Sequence, residues 1–367
     1  MKIAIVLNTS WNIYNFRLGL VKALLSEGHE VVAIAPADEY SDKLVQAGCI
    51  FEEVKMDSRG ANPVKDLCLT YELYKIYKRQ NPDVILQYTI KPNIYGTFAA
   101  TFLKIPVINN VCGLGTAFLN KNLVSKIAIA MYKLAFRFPK LVFFQNDDDK
   151  EFFLNSKIIN KVKIDVLPGS GIDINEFIPQ HKTYKEAPFT FLLISRLIHD
   201  KGILEYINAI KILKSKGVNA KFQLLGQLDT QHARGIAKEL VDEWIEQDIV
   251  EYMGSVEDVK PFINNSDCVV LPSYREGTPR SLLEAASSGK PIVATDVAGC
   301  NNVVDHKVNG FLCKSKNAED LAAKMEDMLS QDEDSIKMMG YASRQIAVDR
   351  FDEKIVINKY LDSISKV

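Results

Sequence analysis

The sequence lacks the clustered cysteines and histidines of a disulfide framework or a metal site. Its 367 residues include six cysteines and five histidines, and no two cysteines form a C-x-x-C pair. The cysteines are Cys49, Cys68, Cys112, Cys268, Cys300 and Cys313. Most stand in apolar or turn contexts, which is typical of reduced thiols. Because no other group of His, Cys or Asp has the spacing of metal ligands, we expect no metal ion and no cofactor.

Long apolar runs and an excess of charge of one sign are absent as well. No window holds about 18 uninterrupted apolar residues, the length that a membrane-spanning helix needs. The opening run, Lys2–Leu7, is too short and too β-branched for a secretory signal. The formal net charge is −1, so no general field attracts nucleic acid. We expect a cytoplasmic protein without a nucleic-acid partner.

Length and pattern indicate two α/β domains. A chain of 367 residues is long for one core, and apolar runs alternate with helical patterns in both halves. This alternation predicts two doubly wound, Rossmann-like parallel sheets. Because the stretch Pro179–Pro188 is polar and bounded by prolines, we place the domains at residues 1–182 and 183–348. A terminal helix, residues 349–367, follows them.

Short apolar runs mark the predicted strands. In the first half they are Ile3–Leu7, Glu30–Ala35, Asp83–Gln87, Pro106–Asn109, Leu141–Gln145 and Val162–Leu167. In the second half they are Phe189–Ser195, Ala220–Leu225, Ile249–Met253, Cys268–Leu271 and Ile292–Thr295. The segment Asn8–Arg17 is predicted as the first loop, with a helix from Arg17. It contains no glycine, so the G-x-G-x-x-G turn of a dehydrogenase is absent.

The stretch around Glu276 and Glu284 carries the strongest functional signal. It follows a predicted buried strand, so the loop Ser273–Pro279 lies where open α/β sheets bind ligands. Glu276 lies in the loop and Glu284 about one turn into a short helix. Amides near the helix start can meet an anion; they belong to Gly277, Thr278, Arg280 and Ser281. This arrangement suits a nucleotide diphosphate sugar, whereas two solvated glutamates near a helix start are the structural alternative.

The block Leu271–Pro291, with its Glu-Gly-Thr-Pro turn and Gly-Lys-Pro stop, resembles the donor-binding motif of family 4 glycosyltransferases. These are retaining enzymes of the GT-B fold, in which two Rossmann-like domains face each other across a cleft. The resemblance implies that the terminal helix, residues 349–367, returns to the first domain. The resemblance implies that Glu284 holds the ribose and that Glu276 contacts the sugar. It implies further donor-binding groups at Gly277, Thr278, Pro279 and Leu283.

A second motif, Ile194–Gly202, carries Arg196 and Lys201 between a strand and the next helix. A cation just before a helix N-terminus is mildly unfavourable, and an anion between Arg196 and Lys201 removes that conflict. Two solvated surface cations are the structural alternative. The Arg-x4-Lys-Gly spacing is similar to that of family 4 enzymes. The similarity implies that both cations bind the donor diphosphate and stabilise its departure without a metal.

A weaker motif completes the donor side. The resemblance implies that the loop after the strand Ile249–Met253 cradles the nucleobase. Its candidate residues are Met253, Gly254 and Val256, although a glycine turn leading into a helix explains them equally well.

The position of the acidic run Asp147–Asp149 favours a structural role over a metal site. Asn146 can cap a helix there, and a helix dipole stabilises acids in its first turn.

Acidic residues are absent between Asp83 and Asp147, a span that holds seven basic residues. These are Lys91, Lys104, Lys121, Lys126, Lys133, Arg137 and Lys140. Within the span, Leu123–Phe138 is amphipathic at the helical period. Its basic stripe is Lys126, Lys133, Arg137 and Lys140, and its apolar arc is Leu123, Ile127, Met131, Leu134 and Phe138. We expect residues 121–140 to contact an anionic membrane surface, while a surface helix packed on its sheet is the alternative.

Three further segments, Thr89–Gly96, Cys112–Phe118 and Leu141–Asn146, resemble a bacterial subset of family 4 that builds surface polysaccharides and lipid-linked oligosaccharides. The resemblance implies transfer of a hexose or N-acetylhexosamine, first of all N-acetylgalactosamine from its UDP derivative. The acceptor is then a sugar on a polyprenyl diphosphate, at the inner face of the cell membrane. We expect that acceptor on the first domain, near Asn15, Arg17, Lys91 and Gly113.

Two alternatives stay open. A UDP-sugar 2-epimerase of similar fold needs acid–base carboxylates and histidines and no lipid acceptor. The basic helix and the loop of Arg196 and Lys201 count against it. A catalytically silent nucleotide-sugar-binding scaffold at the membrane would keep the same donor motifs, so those motifs do not exclude it.

Overall fold

The structure, a computed structural model, describes residues 1–57, 62–113, 123–159, 163–180, 188–230 and 232–367. Contacts divide the chain into an N-terminal unit, Met1–Ser170 with Glu353–Val367, and a C-terminal unit, Gly171–Asp352. The boundary predicted between residues 182 and 183 lies outside the described residues. The last helix begins at Glu353 rather than at Asp349, because Asp349–Phe351 complete the preceding helix.

The N-terminal unit is built on a parallel sheet. Its described strands are β1 (Lys2–Val6), β2 (Glu30–Ala35), β3 (Ile50–Glu53), β4 (Val84–Tyr88), β5 (Val107–Val111), β6 (Leu141–Phe144) and β7 (Lys163–Val166). They lie in the order β3-β2-β1-β4-β5-β6-β7, and the neighbouring strands are parallel. The strand order reverses between β1 and β4, which makes that point the expected ligand crevice of the sheet.

Helices connect these strands. They are α1 (Ser10–Ser26), α2 (Ser41–Gln46), α3 (Pro63–Gln80), a π-helical turn (Pro92–Gly96), α4 (Thr97–Leu103), α5 (Leu123–Ala135) and α6 (Asp147–Asn155). α1 begins at Ser10 and not at Arg17, because the Thr9 hydroxyl accepts a hydrogen bond from the Asn12 amide. The predicted cap of α6 is confirmed, since the Asn146 side chain accepts a 2.7 Å bond from the Asp149 amide.

The C-terminal unit repeats this architecture. Its described strands are β8 (Phe189–Ile194), β9 (Ala220–Leu225), β10 (Glu251–Tyr252), β11 (Cys268–Leu271), β12 (Ile292–Thr295) and β13 (Gly310–Cys313), in the order β10-β9-β8-β11-β12-β13. Its helices are a 3₁₀ turn (His199–Lys201), α7 (Ile203–Ser215), α8 (Lys238–Glu246), α9 (Lys260–Asn265), α10 (Arg280–Ser287), α11 (Ala318–Leu329) and α12 (Glu333–Phe351). The switch point lies between β8 and β11. The loops that follow these two strands are therefore neighbours.

Both faces of the first sheet are covered, as its apolar strands require. Ile3 and Ile5 belong to the same core cluster as residues of α1 and of α13 (Glu353–Ile364), whereas Ala4 and Val6 belong to the one that includes α3 and α4. α13 packs on α1, and the end of the Glu353 side chain lies against Gly19. A Cβ at that position would lie 2.5 Å from the Glu353 carboxylate.

The predicted α/β class with two doubly wound sheets is confirmed, but two strands escaped the sequence pattern. β3 and β13 each span four residues at the edge of a sheet. β3 ends on Glu52 and Glu53, and β13 begins at Gly310, so neither is an uninterrupted run of apolar strand formers. Among the described residues, no helix combines the length and the apolar character needed to cross a bilayer.

Lys290, after α10, provides a test of how this unit is held together. Its buried Nζ donates 2.8 Å hydrogen bonds to the carbonyls of Asn264 and Ser266, just before β11. Lys290→Met removes both donors from buried carbonyls, so it should lower the free energy of unfolding by about 2–4 kcal/mol in urea titrations. The exposed Lys221→Met is the control and should change it by less than about 0.5 kcal/mol. Equal effects of the two substitutions would contradict this role.

Candidate functional site

The loop between β11 and α10, residues 272–279, forms one side of the candidate site. The Glu276 amide donates to the Ala298 carbonyl at 3.1 Å, which fixes the loop against the segment after β12. Gly299, with φ +86°, permits this contact, since a Cβ there would lie 2.6 Å from the Gly277 carbonyl oxygen. The loop that carries Glu276 is therefore held by backbone contacts rather than by side chains alone.

The loop after β8 packs directly on this first loop. Gly202 adopts φ +72°, and a Cβ there would lie 2.1 Å from the Pro272 carbonyl oxygen. The Tyr274 amide also donates to the Asp200 carbonyl at 2.9 Å. Across the junction, Lys201 Nζ donates to Glu276 Oε1, and these side chains are 22% and 12% exposed. The structure thus brings together two of the three residues predicted to be catalytic.

Arg196, the third of these residues, lies on the same loop with its side chain in solvent. Within the described part of the chain it forms no ion pair. Its position is fixed by the backbone, because a Cβ on the neighbouring Gly226 would lie 1.8 Å from the Ser195 carbonyl oxygen. An exposed guanidinium on a fixed backbone is suited to binding a phosphate through its planar fork.

Glu284 lies in the second turn of α10, and its side chain is 14% exposed. Burial raises the pKa of its carboxyl group, and the positive charge of Arg280 opposes that shift. Arg280 Nε donates to Glu284 Oε1 at 3.2 Å, and its Nη1 donates to the Gly171 carbonyl at 2.8 Å. The sequence predicted only an amide of Arg280 for anion binding, although its spacing of four residues from Glu284 is also that of a helical ion pair.

The predicted nucleobase loop follows β10. Met253 is 37% exposed, and Val256 is half-buried against the core of the unit. Gly254 has φ +69° with no atom within 4 Å of its Cβ position, and its carbonyl accepts a 2.7 Å bond from Gly226. Leu283 differs from these residues, because its side chain is fully buried in the core. Its amide donates to the Pro279 carbonyl at 3.3 Å, so Leu283 offers a donor no exposed group, contrary to the prediction.

A second group of charged residues, which the sequence did not predict, lies next to Lys201 and includes its neighbour Asp200. Arg234 Nη2 pairs with Asp200 Oδ1 at 2.8 Å, and the Tyr274 hydroxyl donates to Glu205 Oε1 at 2.8 Å. Burial and Glu205 raise the pKa of Tyr274, which keeps this hydroxyl a donor. These residues come from separate segments whose proximity only the fold creates. They bear no local motif that could have revealed them.

The predicted acceptor residues lie in the N-terminal unit. Asn15 and Arg17 are on α1, where the Asn15 side chain donates to the Trp11 carbonyl at 3.0 Å. Lys91 pairs with the buried Asp66 at 2.9 Å. Gly113 follows β5 with φ +116°. Arg17 is buried, with its guanidinium 4.6 Å from the centre of the Tyr88 ring. The charge of Lys91 is thus already balanced, whereas that of Arg17 is not matched by a carboxylate among the described residues.

α5 ends at Ala135 rather than at Phe138, and α5 and the turn after it expose much of the predicted apolar arc. Ile127, Leu134 and Phe138 are 51%, 46% and 47% exposed. The buried side of the segment is formed by other residues, Tyr132, Ala135 and Phe136. The basic residues Lys126, Lys133, Arg137 and Lys140 are exposed as predicted. Leu123 to Ser125 have no described side chains, and Lys121 lies outside the described residues.

Two doubly wound units, one with paired cations and carboxylates at its switch point, define an α/β protein suited to a phosphate-bearing nucleotide. The chain belongs to the glycosyltransferases. Residues 174–346 match the family described as Glycosyl transferases group 1, and residues 2–146 match the one described as Glycosyl transferase 4-like. Transferase activity and the GT-B class are therefore confirmed, and membership favours transfer over a 2-epimerase or a silent scaffold.

Individual relatives agree with this assignment. The chain is 31% identical to N,N'-diacetylbacillosaminyl-diphospho-undecaprenol alpha-1,3-N-acetylgalactosaminyltransferase of Campylobacter jejuni, over 100% of this chain and 99% of that protein. It is 25% identical to UDP-Gal:alpha-D-GlcNAc-diphosphoundecaprenol alpha-1,3-galactosyltransferase of Escherichia coli, over 76% and 73% of the two chains. The crystal structure of Anabaena HepE with UDP-glucose shares the fold, with a TM-score of 0.83 and 20% identity over 100% of both chains.

Gly299→Ala tests whether the backbone contact at Glu276 matters for activity. The added Cβ would displace the Glu276 loop, so kcat/KM, followed by UDP release, should fall by about 10–100-fold, on the scale of a misplacement near 1 Å. Gly217→Ala is the matched control, since it has φ +77° with nothing within 4 Å. Gly217→Ala should cost about 1–2 kcal/mol of stability through left-handed strain alone, and Gly299→Ala should cost more because its Cβ also meets backbone atoms. Equal activities of the two variants would argue against the contact.

Proposed function

We propose that the chain transfers an N-acetylhexosamine or hexose, first of all N-acetylgalactosamine, from a UDP-sugar to a sugar on a polyprenyl diphosphate. The contact between Lys201 and Glu276 carries the proposal, because it joins a cation for phosphate to a carboxylate for sugar hydroxyls. Support for the substrates comes from the relatives in Campylobacter jejuni and Escherichia coli, whose names include a diphospho-undecaprenol or diphosphoundecaprenol acceptor.

On the donor side, charge exchange explains why these two residues are paired. A diphosphate offers Lys201 a second anionic partner, and Glu276 can then accept hydrogen bonds from the sugar hydroxyls. Arg196 supplies the second cation from its exposed position on the same loop. Glu284, held by Arg280, can accept from the ribose hydroxyls, and the backbone of Gly277 to Pro279 lies beside the sugar. Such preorganised charges stabilise a departing diphosphate.

The proposed reaction is retaining and independent of metal. The bond between the sugar C1 and the β-phosphate oxygen breaks while an acceptor hydroxyl oxygen bonds to C1 from the same face. The hydroxyl proton passes to the departing phosphate oxygen, and UDP leaves with the bonding electron pair. The residues Arg196 and Lys201 balance the negative charge that develops on UDP, the role that divalent ions have in other enzymes.

The decisive experiment combines the whole protein, UDP-N-acetylgalactosamine and a polyprenyl-diphosphate-linked sugar, with and without EDTA. The expected product is an extended lipid with an α-linkage by NMR, formed equally in both conditions. An isomerised nucleotide sugar without lipid extension would instead establish the epimerase. Donor binding without turnover would establish the scaffold, and loss of turnover in EDTA would refute metal independence.

Lys201→Met should lower kcat about 10²–10³-fold, because it removes the lysine charge that would stabilise the departing diphosphate. Methionine keeps a side chain of similar length. Steady-state rates of UDP release against donor concentration give kcat and KM separately. Lys211→Met, an exposed lysine on α7, is the control and should keep the wild-type rate. A kcat within twofold of wild type for Lys201→Met would exclude this role.

We also propose peripheral attachment to the inner face of the cell membrane through α5 and the turn after it. Three exposed apolar side chains stand among four exposed cations there, in a span of sequence that holds no acidic residue. Burying Ile127, Leu134 and Phe138 in the interface adds hydrophobic free energy to the attraction of the cations for anionic lipids. This surface and the lipid acceptor would then meet at the same membrane.

Replacing Lys126, Lys133 and Arg137 by glutamate should weaken binding to phosphatidylglycerol vesicles at least 100-fold, since each lysine or arginine near the surface contributes about 1 kcal/mol. Vesicle sedimentation measures the bound fraction. The control replaces Lys22, Lys75 and Lys78, exposed cations elsewhere on the same unit, with the same total change of charge. Equal loss in both triple variants, or none in the first, would place the membrane surface elsewhere.

A further inference from the structure

Arg17 is a buried cation at the carboxyl edge of the first sheet. Its side chain lies on α1, and the residue is only 6% exposed. The guanidinium stacks 4.6 Å from the centre of the Tyr88 ring. Its Nη1 donates to the Phe16 carbonyl at 3.0 Å, and its Nη2 contacts Cys112 Sγ at 4.0 Å. Its Nε is buried without a hydrogen-bond partner.

The surroundings provide no negative charge to balance it. Within the described residues, no carboxylate pairs with Arg17. Burial raises the pKa of the Cys112 thiol, and burial raises the pKa of Tyr88 well above its usual value and that of Tyr360 to about 12. All three groups are therefore neutral at physiological pH. Because buried charges are nearly always paired in proteins, an unbalanced guanidinium points to an anionic ligand.

The position of this cation coincides with the switch point of the N-terminal sheet. Tyr88 ends β4, which pairs with β1 at the reversal of strand order. The next residue, Thr89, adopts φ +64°, and its hydroxyl oxygen is buried without a partner. Strained residues with unsatisfied groups concentrate at ligand sites. The Cys112 thiol lies beside both the Thr89 backbone and the Arg17 guanidinium, so Thr89 and Arg17 are neighbours of the same side chain.

We propose that Arg17 and the Thr89 hydroxyl form a subsite for a phosphoryl group in the N-terminal unit. Arg17 offers a planar fork with an unused N–H, and Thr89 offers a hydroxyl donor to a second phosphate oxygen. The other predicted acceptor side chains are engaged elsewhere, Lys91 with Asp66 and Asn15 with the Trp11 carbonyl. Which phosphoryl group binds rests on the proposed function: it is a phosphate of the polyprenyl diphosphate acceptor.

Calorimetric titration of inorganic pyrophosphate into the whole protein tests the subsite, with saturating UDP present to occupy the donor site. Wild type should bind pyrophosphate, and Arg17→Gln should weaken the binding at least tenfold. Arg17→Lys keeps the charge without the fork and should fall between them. Lys22→Gln, an exposed cation on the same helix, should bind like wild type. Equal affinities of wild type and Arg17→Gln would overturn the proposal.

A measurement on unmodified wild type guards against a variant that does not fold. Pyrophosphate should slow alkylation of Cys112 by iodoacetamide at least threefold by mass spectrometry, because the anion would lie against the neighbouring guanidinium. Cys68, which is exposed on α3, is the internal control and should react at an unchanged rate. If pyrophosphate leaves the ratio of the two rates unchanged, no anion binds beside Arg17.

The lipid acceptor distinguishes this subsite from the proposed function as a whole. In transfer assays, Arg17→Gln should raise the KM for the polyprenyl-diphosphate-linked sugar at least tenfold and leave the KM for UDP-sugar within twofold. Arg17-dependent binding of pyrophosphate without any lipid transfer would uphold the subsite and refute the acceptor. Lipid transfer with an unchanged acceptor KM in Arg17→Gln would refute the subsite alone.

Discussion

Backbone contact between the loops that follow β8 and β11 is the constraint on which the proposed donor site depends. Gly202 lies against the Pro272 carbonyl, and Gly299 lies against the Glu276 loop, both at distances that exclude a Cβ. Two segments in such contact cannot move independently. The pairing of Lys201 with Glu276 therefore follows from the strand order of the sheet. The loops after two adjacent parallel strands begin next to each other at the carboxyl edge. Side-chain chemistry then acts on a geometry that the backbone has already fixed.

Charge in the C-terminal unit is arranged in exchangeable pairs. Lys201 with Glu276 and Arg280 with Glu284 are each a cation beside a carboxylate with partial exposure to solvent. Such pairs contribute little stability on their own, since hydration and mutual attraction nearly cancel. For the same reason they can be opened at small cost by a ligand that carries both phosphates and hydroxyls. Arg196, which is exposed, adds the positive charge that two balanced pairs do not provide.

The sequence predicted the class of fold and most strands, and it marked the loops that we propose to bind the donor, because each of these has a local sequence pattern. Buried parallel strands are apolar runs, and Arg196, Lys201, Glu276 and Glu284 lie at fixed spacings beside glycine and proline. The edge strands β3 and β13 lack such a run, because β3 ends on two glutamates and β13 begins at Gly310. The start of α1 was predicted too late, because its cap Thr9 is one of several polar residues in the segment that precedes Arg17. The pairs of Asp200 with Arg234 and of Tyr274 with Glu205 join distant segments, and no spacing encodes them.

The two units share one topology but differ in how the cations at their switch points are stabilised. At the C-terminal switch point the paired cations are partly exposed, so their charges are stabilised by partners and by water. At the N-terminal switch point Arg17 is buried against Tyr88 with neutral neighbours. An unpaired buried charge lowers the stability of the folded protein. Such a charge is tolerated in a site that binds an anion, because the bound anion stabilises it. Burial, rather than the number of cations, thus distinguishes the two proposed sites: ion pairs that a donor can open in the C-terminal unit, and one buried cation that an anion would balance in the N-terminal unit.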